Sequence, residues 1–543
     1  MNKTVLVLLT LTLPYVAAVR AGEHVLTFDR AKLYAQAVEE SLMPIQPGVP
    51  GKTVFWNRKA AGFIHAPAFD FEPVPGAAAY RFTARTAAGR EFTFVAAKPW
   101  APLSPIWKEL PVGQVELKVE GLAAKGGKVL ATAKIDGKPS RTFHRKAVFN
   151  GPYQEAAGDY GEAAYRWLKW LSKSHFKGWN KEGDAGKLEG YPAKSYGSAV
   201  SGLAVLASLE KGSFAKEWAL RMSRNAARTL IKGSYPADWA LAGFPPTYAH
   251  NAMGNMSYGT VMMHYPAAVG NHYLVLYEAT REKEFLEAAR RIADVYRKTQ
   301  LENGTWHLLV EGETGEKTAR SASYVIPFAI IGLCENLARH GYGDYEPMAT
   351  KAWAYIETDI LSQFRFEGQF EDTGAAGGSA WNLSHYPANQ AALYLFRHAQ
   401  NDPARIALAE EALRFAEDQF VVWEESDRGL IVDQFRDQFI PGALEQYKYM
   451  VAINASAADF ITTWQAAYEA TGNELHLAKA VAFANAMTAI QKKSGGDFVS
   501  TYWRTGKGDG NWPNCHVGSS RALLDFDVRL KARGMSVPAN GPK

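Results

Sequence analysis

The chain has 543 residues, of which 47% are hydrophobic and 21% are charged, a composition typical of a globular protein with two or three domains. Its formal net charge of +5 is small, and no cluster of Lys and Arg would follow a phosphate backbone, so no nucleic-acid partner is expected. Aromatic residues make up 12% of the chain, enough to form stacking surfaces in addition to a core.

The N-terminus predicts a signal peptide over residues 1–21 and therefore a periplasmic or extracellular protein. Lys3 supplies the positive charge, residues 4–18 the apolar run, and residues 17–22 the small side chains for cleavage. The run is too short to span a membrane, and no Cys near the cleavage site would carry a lipid anchor, so no membrane partner is expected. Cys334 and Cys515 are interpreted as buried free thiols, although a single bridge between them stays open.

An N-terminal segment over residues 22–50 precedes a predicted antiparallel β-sandwich over residues 51–150. Apolar and polar side chains alternate there in four runs, at 80–84, 91–95, 115–119 and 129–135. Gly and Pro separate the runs. The pattern is similar to the start of a fibronectin-III-like module, which would be an accessory domain.

Residues 151–543 predict a ring of helical hairpins. The twelve predicted helices cover 156–173, 197–209, 213–231, 263–279, 283–300, 320–340, 345–362, 385–400, 404–421, 452–471, 474–492 and 514–533. Short and very long connections alternate, so the long ones would all emerge on one face. The sequence Tyr-Glu-Ala-Thr at 277–280 recurs at 468–471, which indicates a repeated helix–turn–helix unit. The six hairpins could form an open solenoid, but the long loops favour a closed double ring.

On this architecture the chain resembles the six-hairpin (α/α)6-barrel superfamily, which holds glycoside hydrolases, polysaccharide lyases and sugar epimerases. The resemblance extends over about 370 residues, from 156 to 533. It implies a fold that is mainly α with a β domain, in which an N-terminal β-sandwich precedes an (α/α)6 toroid that carries the catalytic site. No catalytic motif is matched, so the resemblance supplies no catalytic residue.

Aromatic and polar side chains gather where the long loops meet the predicted inner helices. This mixture suits a sugar, whose ring stacks on aromatic faces and whose hydroxyl groups need hydrogen-bond partners. Each residue taken singly could equally be an ordinary loop residue. The residues interpreted as substrate-binding are Asp238, Trp239, Tyr258, Arg320, Trp381, Asn382, Gln446, Tyr447, Trp512 and Asn514.

Hydrolysis of a glycosidic bond requires two carboxyl groups that flank the bond. Glu371 and Asp372 are the first candidates, because neighbouring carboxylates raise the pKa of one of them and so produce a proton donor. The alternative is a solvated or helix-capping pair. Glu417 and Asp418, at the end of an outer helix, are interpreted as structural.

Elimination from a uronic acid requires a base, an acid and a group that neutralises the carboxylate. The tripeptide His-Tyr-Pro occurs twice, which makes His264, Tyr265, His385 and Tyr386 catalytic candidates at two predicted helix starts. Pro is favoured in a first helical turn, but this preference does not explain the His-Tyr pairs. The alternative is that both pairs only pack there. Arg320 and Asn382 could hold the substrate carboxylate.

These patterns predict a secreted enzyme that cleaves glycosidic bonds in a polysaccharide or oligosaccharide containing uronic acids, by acid/base hydrolysis. A lyase that uses the His-Tyr pairs is the close alternative, and a non-catalytic glycan-binding protein is a further one. No cofactor and no metal are expected, because the chain has neither a His-Glu-x-x-His motif nor a dinucleotide fingerprint. Calcium bound by loop carboxylates stays open.

Overall fold

The computed structural model describes residues 24–46, 56, 60–124, 127–249, 257–319, 321, 323–366, 369, 383–431, 439–447, 450–493 and 512–537. The predicted signal peptide lies outside this part of the chain. None of the helices described combines the length and the hydropathy that a membrane-spanning helix needs.

Helices and strands account for most of the described chain. The helices are α1 (Arg30–Ser41), α2 (Ser104–Trp107), α3 (Tyr160–Lys173), α4 (Pro192–Leu209), α5 (Ser213–Lys232), α6 (Tyr265–Thr280), α7 (Lys283–Thr299), α8 (Phe328–Arg339), α9 (Glu346–Tyr355), α10 (His385–Arg397), α11 (Pro403–Phe420), α12 (Asn454–Thr471), α13 (Glu474–Lys493) and α14 (Pro513–Ala532). The strands are β1 (His24–Val25), β2 (Gly62–Phe63), β3 (Ala79–Thr86), β4 (Glu91–Ala96), β5 (Gly113–Leu122), β6 (Val129–Thr132), β7 (Ser140–Arg145), β8 (Thr260–Met262), β9 (Leu309–Glu311), β10 (Val421–Val422), β11 (Gly442–Ala443) and β12 (Met535–Ser536).

A helix stands at each of the twelve predicted positions, α3 to α14, and two starts differ clearly from the prediction. Helix α4 begins at Pro192, because Pro fits the first turn of a helix. The helix predicted from residue 320 begins only at Phe328. The backbone before it is extended, since the amide of Val325 donates to the carbonyl of Trp306 at 2.8 Å. The backbone pairing with Trp306 takes the place of the first helical turns that the sequence predicted.

The first of two compact units comprises described residues of 1–26, 158–355 and 511–543. It contains four antiparallel helix pairs, α14 with α3, α4 with α5, α6 with α7, and α8 with α9. Helices α14, α4, α6 and α8 pack side by side in that order and form an inner layer, while α3, α5, α7 and α9 form an outer one. Cys334 and Cys515, both in this unit, are buried free thiols, as predicted.

Glycines allow the inner helices of this unit to approach closely. A Cβ atom at Gly270 would lie 2.9 Å from Leu333 Cδ1, and one at Gly202 would lie 2.7 Å from Val517 Cγ2. Gly270 faces Leu333 in the middle of the two helices, and Glu278, near the end of α6, lies 3.2 Å from His340, just after α8, so α6 and α8 run parallel. Their N-terminal ends, and the long connections that lead into them, therefore lie at the same end of the unit.

The second unit comprises described residues of 27–157 and 356–510. It contains the helix pairs α10 with α11 and α12 with α13, and α10 packs directly against α12. Inner and outer layers are thus present in both units. Closure of all six hairpins into one toroid stays a prediction.

The predicted strands are present, but the described ones form one six-stranded sheet rather than the two sheets of a sandwich. The order is β2-β7-β5-β3-β4, with β6 also paired to β5, and all neighbours are antiparallel except β2 and β7. An aromatic cluster of Phe63, Phe69, Phe143 and Trp107 covers its buried side. Because the short helix α2 supplies Trp107, one sheet buries its apolar face without a second one.

Buried charges join this sheet to helix α11. The carboxylate of Asp418 accepts hydrogen bonds from the amides of Ile64 and His65, at 2.6 and 2.8 Å. Burial raises the pKa of Asp418 to about 6, although the nearby Lys146 ammonium opposes this shift. Glu417 accepts a hydrogen bond from the indole of Trp423 at 2.9 Å. Both acids have the structural surroundings that the sequence suggested.

Candidate active site

In the second unit, a short segment over residues 443–447 joins the N-terminal ends of α10 and α12. The amide of Tyr447 donates to the carbonyl of Leu383 at 3.0 Å, just before α10. The amide of Ile453, just before α12, donates to the carbonyl of Ala443 at 3.0 Å. The two helix starts are therefore held on either side of one extended segment, and their first turns face a common region.

His385, the first residue of α10, is buried there and bonded through both ring nitrogens. Nε2 lies 3.0 Å from Asp459 Oδ2, while Nδ1 lies 3.1 Å from the carbonyl oxygen of Glu445 and 3.2 Å from Ser456 Oγ. A charged ring would donate to both the carboxylate and the carbonyl; a neutral ring would donate through Nε2 and accept from the Ser456 hydroxyl. In either form His385 has no nitrogen left for a substrate, so its arrangement orients Asp459.

Asp459 lies in the second turn of α12, and its side chain is 32% exposed. Tyr386, the neighbour of His385, is half-buried close to this carboxylate. Burial, and then the charge of Asp459, raises the pKa of the Tyr386 phenol, which therefore stays protonated at neutral pH. The geometry thus combines an accessible carboxylate, an imidazole that fixes its orientation and a phenol that can donate.

The first two turns of α10 and α12, and the residue before α10, also carry buried polar groups that lack partners. Among the described residues, Ser384 Oγ and both amide atoms of Asn389 and Asn454 make no hydrogen bond. The three side chains are 0%, 0% and 1% exposed. Because nearly all buried polar atoms in proteins are hydrogen-bonded, these groups require water or a polar ligand. A sugar site needs this kind of lining.

Gln446 and Tyr447, which the sequence assigned to substrate binding, belong to the segment that joins the two helices. Gln446 is buried and forms a β-bridge with Ser384. Tyr447 is buried too, and its hydroxyl donates to Gln419 Oε1. These positions favour roles in holding the segment in place over contact with a substrate.

In the first unit, a second group of side chains lies at the starts of α4 and α6. The Lys194 ammonium lies over two aromatic faces, 4.7 Å from the ring centre of Tyr265 and 5.1 Å from that of Tyr191. The rings of His264 and Tyr265 are in contact, with centres 4.3 Å apart. The structure therefore places this predicted His-Tyr pair beside a cation that can attract a carboxylate.

The other predicted residues of the first unit are more dispersed. Trp239 packs with Tyr258 and Tyr235, with ring centres 6.0 and 4.9 Å away, so these rings support each other. Asp238 is exposed. Trp512, just before α14, is 41% exposed, as a stacking residue would be, while the amide of Asn514 lies 3.6 Å from Cys515 Sγ.

Five predicted site residues lie outside the described part of the chain: Glu371, Asp372, Arg320, Trp381 and Asn382. The structure therefore tests neither the acid pair proposed for hydrolysis nor the loop residues proposed around it. Within the described residues, no three His, Cys, Asp or Glu side chains are grouped so that they could hold a metal ion.

Asp459 and Lys194 were not predicted from the sequence. Asp459 lies within a helix among buried neighbours, Ala457, Ala458 and Phe460, whereas the predicted acids lie in loops. A carboxylate among apolar residues in the second turn of a predicted inner helix is the signal that would have identified it. Lys194 lies within the predicted connection between the helices at 156–173 and 197–209, and its contact with Tyr265 joins residues that are distant in the sequence.

The fold of the chain is similar to that of several solved structures. The chain is similar to a family 76 glycoside hydrolase from Bacteroides thetaiotaomicron, with 9% identity, 83% of this chain and 93% of that chain covered, and a TM-score of 0.48. It is also similar to cellobiose 2-epimerase from Spirochaeta thermophila, with 13% identity, 63% and 86% coverage and a TM-score of 0.46. Unsaturated glucuronyl hydrolase from Streptococcus agalactiae gives 10% identity, 68% and 91% coverage and a TM-score of 0.41.

These solved structures include two hydrolases and a sugar epimerase, and the resemblance to the six-hairpin superfamily stays a prediction. No protein-family model and no curated protein matches the sequence. Identities of 9 to 13% concern the fold alone and carry no assignment of a reaction or a substrate.

Proposed function

We propose that this chain is a secreted carbohydrate-active enzyme that hydrolyses glycosidic bonds in a polysaccharide or oligosaccharide containing uronic acids. The observation that carries the proposal is the contact of 3.0 Å between His385 Nε2 and Asp459 Oδ2, on two helices that also carry unpartnered buried amides. Asp459 would act as one of the two carboxyl groups that hydrolysis requires. Glu371 and Asp372 are the sequence candidates for the other.

A carboxylate in this role must present one oxygen to the substrate in a fixed direction. The bond from His385 restrains Oδ2 of Asp459, and the side chain retains exposed surface on which a glycosidic oxygen or a water molecule can bind. Preorganisation of this kind is what makes a proton donor or acceptor effective. The buried amides of Asn389 and Asn454 would bind sugar hydroxyl groups or the water between them.

Two observations support the further parts of the proposal. Lys194, held on the rings of Tyr191 and Tyr265, is a site in the first unit for the carboxylate of an acidic sugar. The basic start and apolar run of residues 1–21 support export from the cell, to the periplasm or the medium.

Elimination is the second candidate reaction, and Tyr386 is the observation that favours it. A phenol that stays protonated beside a carboxylate could protonate the leaving oxygen while Asp459 takes the proton from the sugar ring. His385 would not be the base, because both of its nitrogens are occupied.

The proposal is tested by incubating the purified chain with a panel of acidic and neutral glycans and following both reducing ends and ultraviolet absorbance. Hydrolysis releases reducing ends alone, whereas elimination also produces an absorbing double bond. Asp459→Asn should lower the rate by about 10²- to 10⁴-fold, the usual contribution of a general acid or base. Asp344→Asn, on the protein surface, should retain full activity.

Binding of a glycan without any product, in the wild-type chain over long incubations, would contradict the enzymatic proposal and support a glycan-binding protein. Full activity of folded Asp459→Asn would exclude Asp459 from the chemistry. The fold of each variant is checked by circular dichroism before rates are compared.

A further inference from the structure

The N-terminal sheet of the second unit borders an open cavity of about 620 Å³ at one edge of strand β7. Its described walls are residues 60–61, which precede β2, the turn at 135–139 and residues 140–144 of β7, together with Gln114 of β5. The volume lies within the range of about 300–1,000 Å³ that is usual for small-molecule sites. None of these wall residues belongs to α10 or α12, so the cavity is separate from the candidate active site.

Strand β7 presents backbone groups to this cavity. Strand β5 pairs with β7 over residues 140–145, whereas β2 pairs with the opposite edge of β7 only at His144 and Arg145. The amide of His144 donates to the carbonyl of Ala61 at 2.8 Å, so the amide of Thr142, two residues earlier, points to the same side. Among the strands that the structure describes, none pairs with Thr142 on that side, and its N–H and C=O groups border the cavity.

Hydrogen bonds hold the basic side chains of β7 in place. Arg141 Nη2 donates to the carbonyl of Ala60 at 2.7 Å, and the guanidinium lies 5.5 Å from the ring centre of Phe69. His144 Nε2 lies 2.9 Å from Oδ1 of the buried Asp427. Arg141 and His144 are only half-buried, and both line the cavity. This wall is therefore ordered before any ligand binds, which lowers the entropic cost of binding.

The turn at residues 135–139 contributes charges that ion pairs do not neutralise. Asp136 and Gly137 both have positive φ, 49° and 74°, and the amide of Lys138 donates to the carbonyl of Ile135 at 2.9 Å, which is the geometry of a tight hairpin turn. Asp136 and Lys138 are exposed, and neither is ion-paired with another residue in the described part of the chain. Together with Arg141, the wall carries two cations and one carboxylate.

We propose that this cavity binds an acidic sugar unit of a glycan. The carboxylate of the sugar binds Lys138 and Arg141, because the excess of positive charge favours an anion. Its hydroxyl groups bind Asp136 and the backbone of Thr142, which a simple carboxylate would leave unused. Phe143 is only 3% exposed and offers no face for stacking, so recognition depends on charge and hydrogen bonds. That the anion is a sugar rests on the proposed function.

Hydrogen exchange followed by mass spectrometry locates this binding in the full chain, because the amide of Thr142 is not paired by any described strand. The probes are oligosaccharides of galacturonate, glucuronate or mannuronate, their methyl esters, and sodium acetate, all at one ionic strength. At least one acidic oligosaccharide should slow exchange in peptides that cover residues 135–144, and this protection should saturate. No protection by any of the three, or equal protection by the esters or by acetate, would overturn the proposal.

Three variants test the assigned contacts. Lys138→Gln should raise the concentration for half-maximal protection by about two- to fivefold, because an exposed ion pair is weak. Arg141→Gln, at a half-buried charge, should raise it by about tenfold or more. Lys98→Gln is the control, since this exposed lysine follows β4, lies 5.9 Å from the ring centre of Trp100 and is outside the wall. An unchanged concentration dependence in Lys138→Gln, which leaves the backbone of the turn intact, would contradict the assignment.

The outcome is separable from that of the proposed function. Asp459→Asn, in the candidate active site, should leave the protection of residues 135–144 unchanged. Cleavage of a glycan by the wild-type chain without this protection would refute the cavity site alone. Protection without any cleavage would refute the proposed hydrolysis and retain the cavity as a glycan-binding site.

Discussion

Replacement of Lys479 by Met tests the buried charge network that joins helices α1, α11 and α13. Lys479 is 1% exposed, and its ammonium lies 2.6 Å from Glu40 Oε2 and 2.7 Å from Glu417 Oε2. The variant keeps much of the side-chain volume but leaves two buried carboxylates without a cation. Breaking a buried pair in this way costs about 3–5 kcal/mol, so the free energy of unfolding at pH 7 should fall by that amount.

The pH dependence of this loss follows from the direction of each shift. The Lys479 charge offsets the burial of Glu40 and lowers its pKa to about 2, whereas burial raises the pKa of Glu417. In the wild type, Glu40 therefore contributes stability that is present above its unfolded pKa of about 4.3 and is lost as the pH falls toward 2. Without Lys479 both carboxylates bind protons more readily when folded, so the difference between variant and wild type should shrink from pH 7 to pH 5.

The assay is urea unfolding of both proteins at pH 7 and pH 5, followed by tryptophan fluorescence. Adding Glu417→Gln to the Lys479→Met variant should recover part of the loss, since one of the two unpaired charges is then absent. Lys479→Met with a loss below about 1 kcal/mol at pH 7, or with the same loss at both pH values, would refute the reasoning, because neither fits two uncompensated buried carboxylates.

Two further predictions concern packing and pH. Gly270→Val should lower the free energy of unfolding by about 1–3 kcal/mol, because its Cβ would lie 2.9 Å from Leu333 Cδ1. Gly332→Ala on α8 is the control and should be neutral or slightly stabilising, because a Cβ at Gly332 would meet no neighbouring group within 4 Å. Equal effects of the two variants in thermal unfolding would contradict this prediction. The pKa of Asp418 is raised to about 6, so its folded form holds the proton more tightly and stability should decline as the pH rises from about 4 to 6. Asp418→Asn should remove that decline in a series of urea titrations, and an unaltered pH profile would show that Asp418 does not cause it.

The helical part of the fold could be predicted because its signals are local. Apolar periodicity, and Gly or Pro between segments, marked twelve helices that all appear in the structure. The helix predicted from residue 320 begins only at Phe328, because residues 323–325 pair with residues 306–308, and no local pattern reveals this pairing. In the sheet, strands β3 to β6 were predicted from the alternation of apolar and polar residues, whereas β2 and β7 were not. Whether such strands form one sheet or two depends on what covers them, here Trp107 and its aromatic neighbours.

The candidate site was predictable only in part. The repeated His-Tyr-Pro motif was predicted to lie at two helix starts and does lie at the starts of α6 and α10, because Pro in a first turn is a local signal. The chemical meaning of His385 depends on Asp459, 74 residues away, and on the carbonyl of Glu445. Such contacts are created by packing of α10 against α12, so the sequence could make His385 a candidate without revealing its contact with Asp459.

The central claim, hydrolysis that depends on Asp459, is tested most directly by the mass of the products formed in water enriched in oxygen-18. We predict that the wild-type chain produces fragments that carry one heavy oxygen at the new reducing end, and that Asp459→Asn produces almost none. Fragments that together weigh no more than the intact glycan and contain no heavy oxygen would contradict the claim and establish elimination instead.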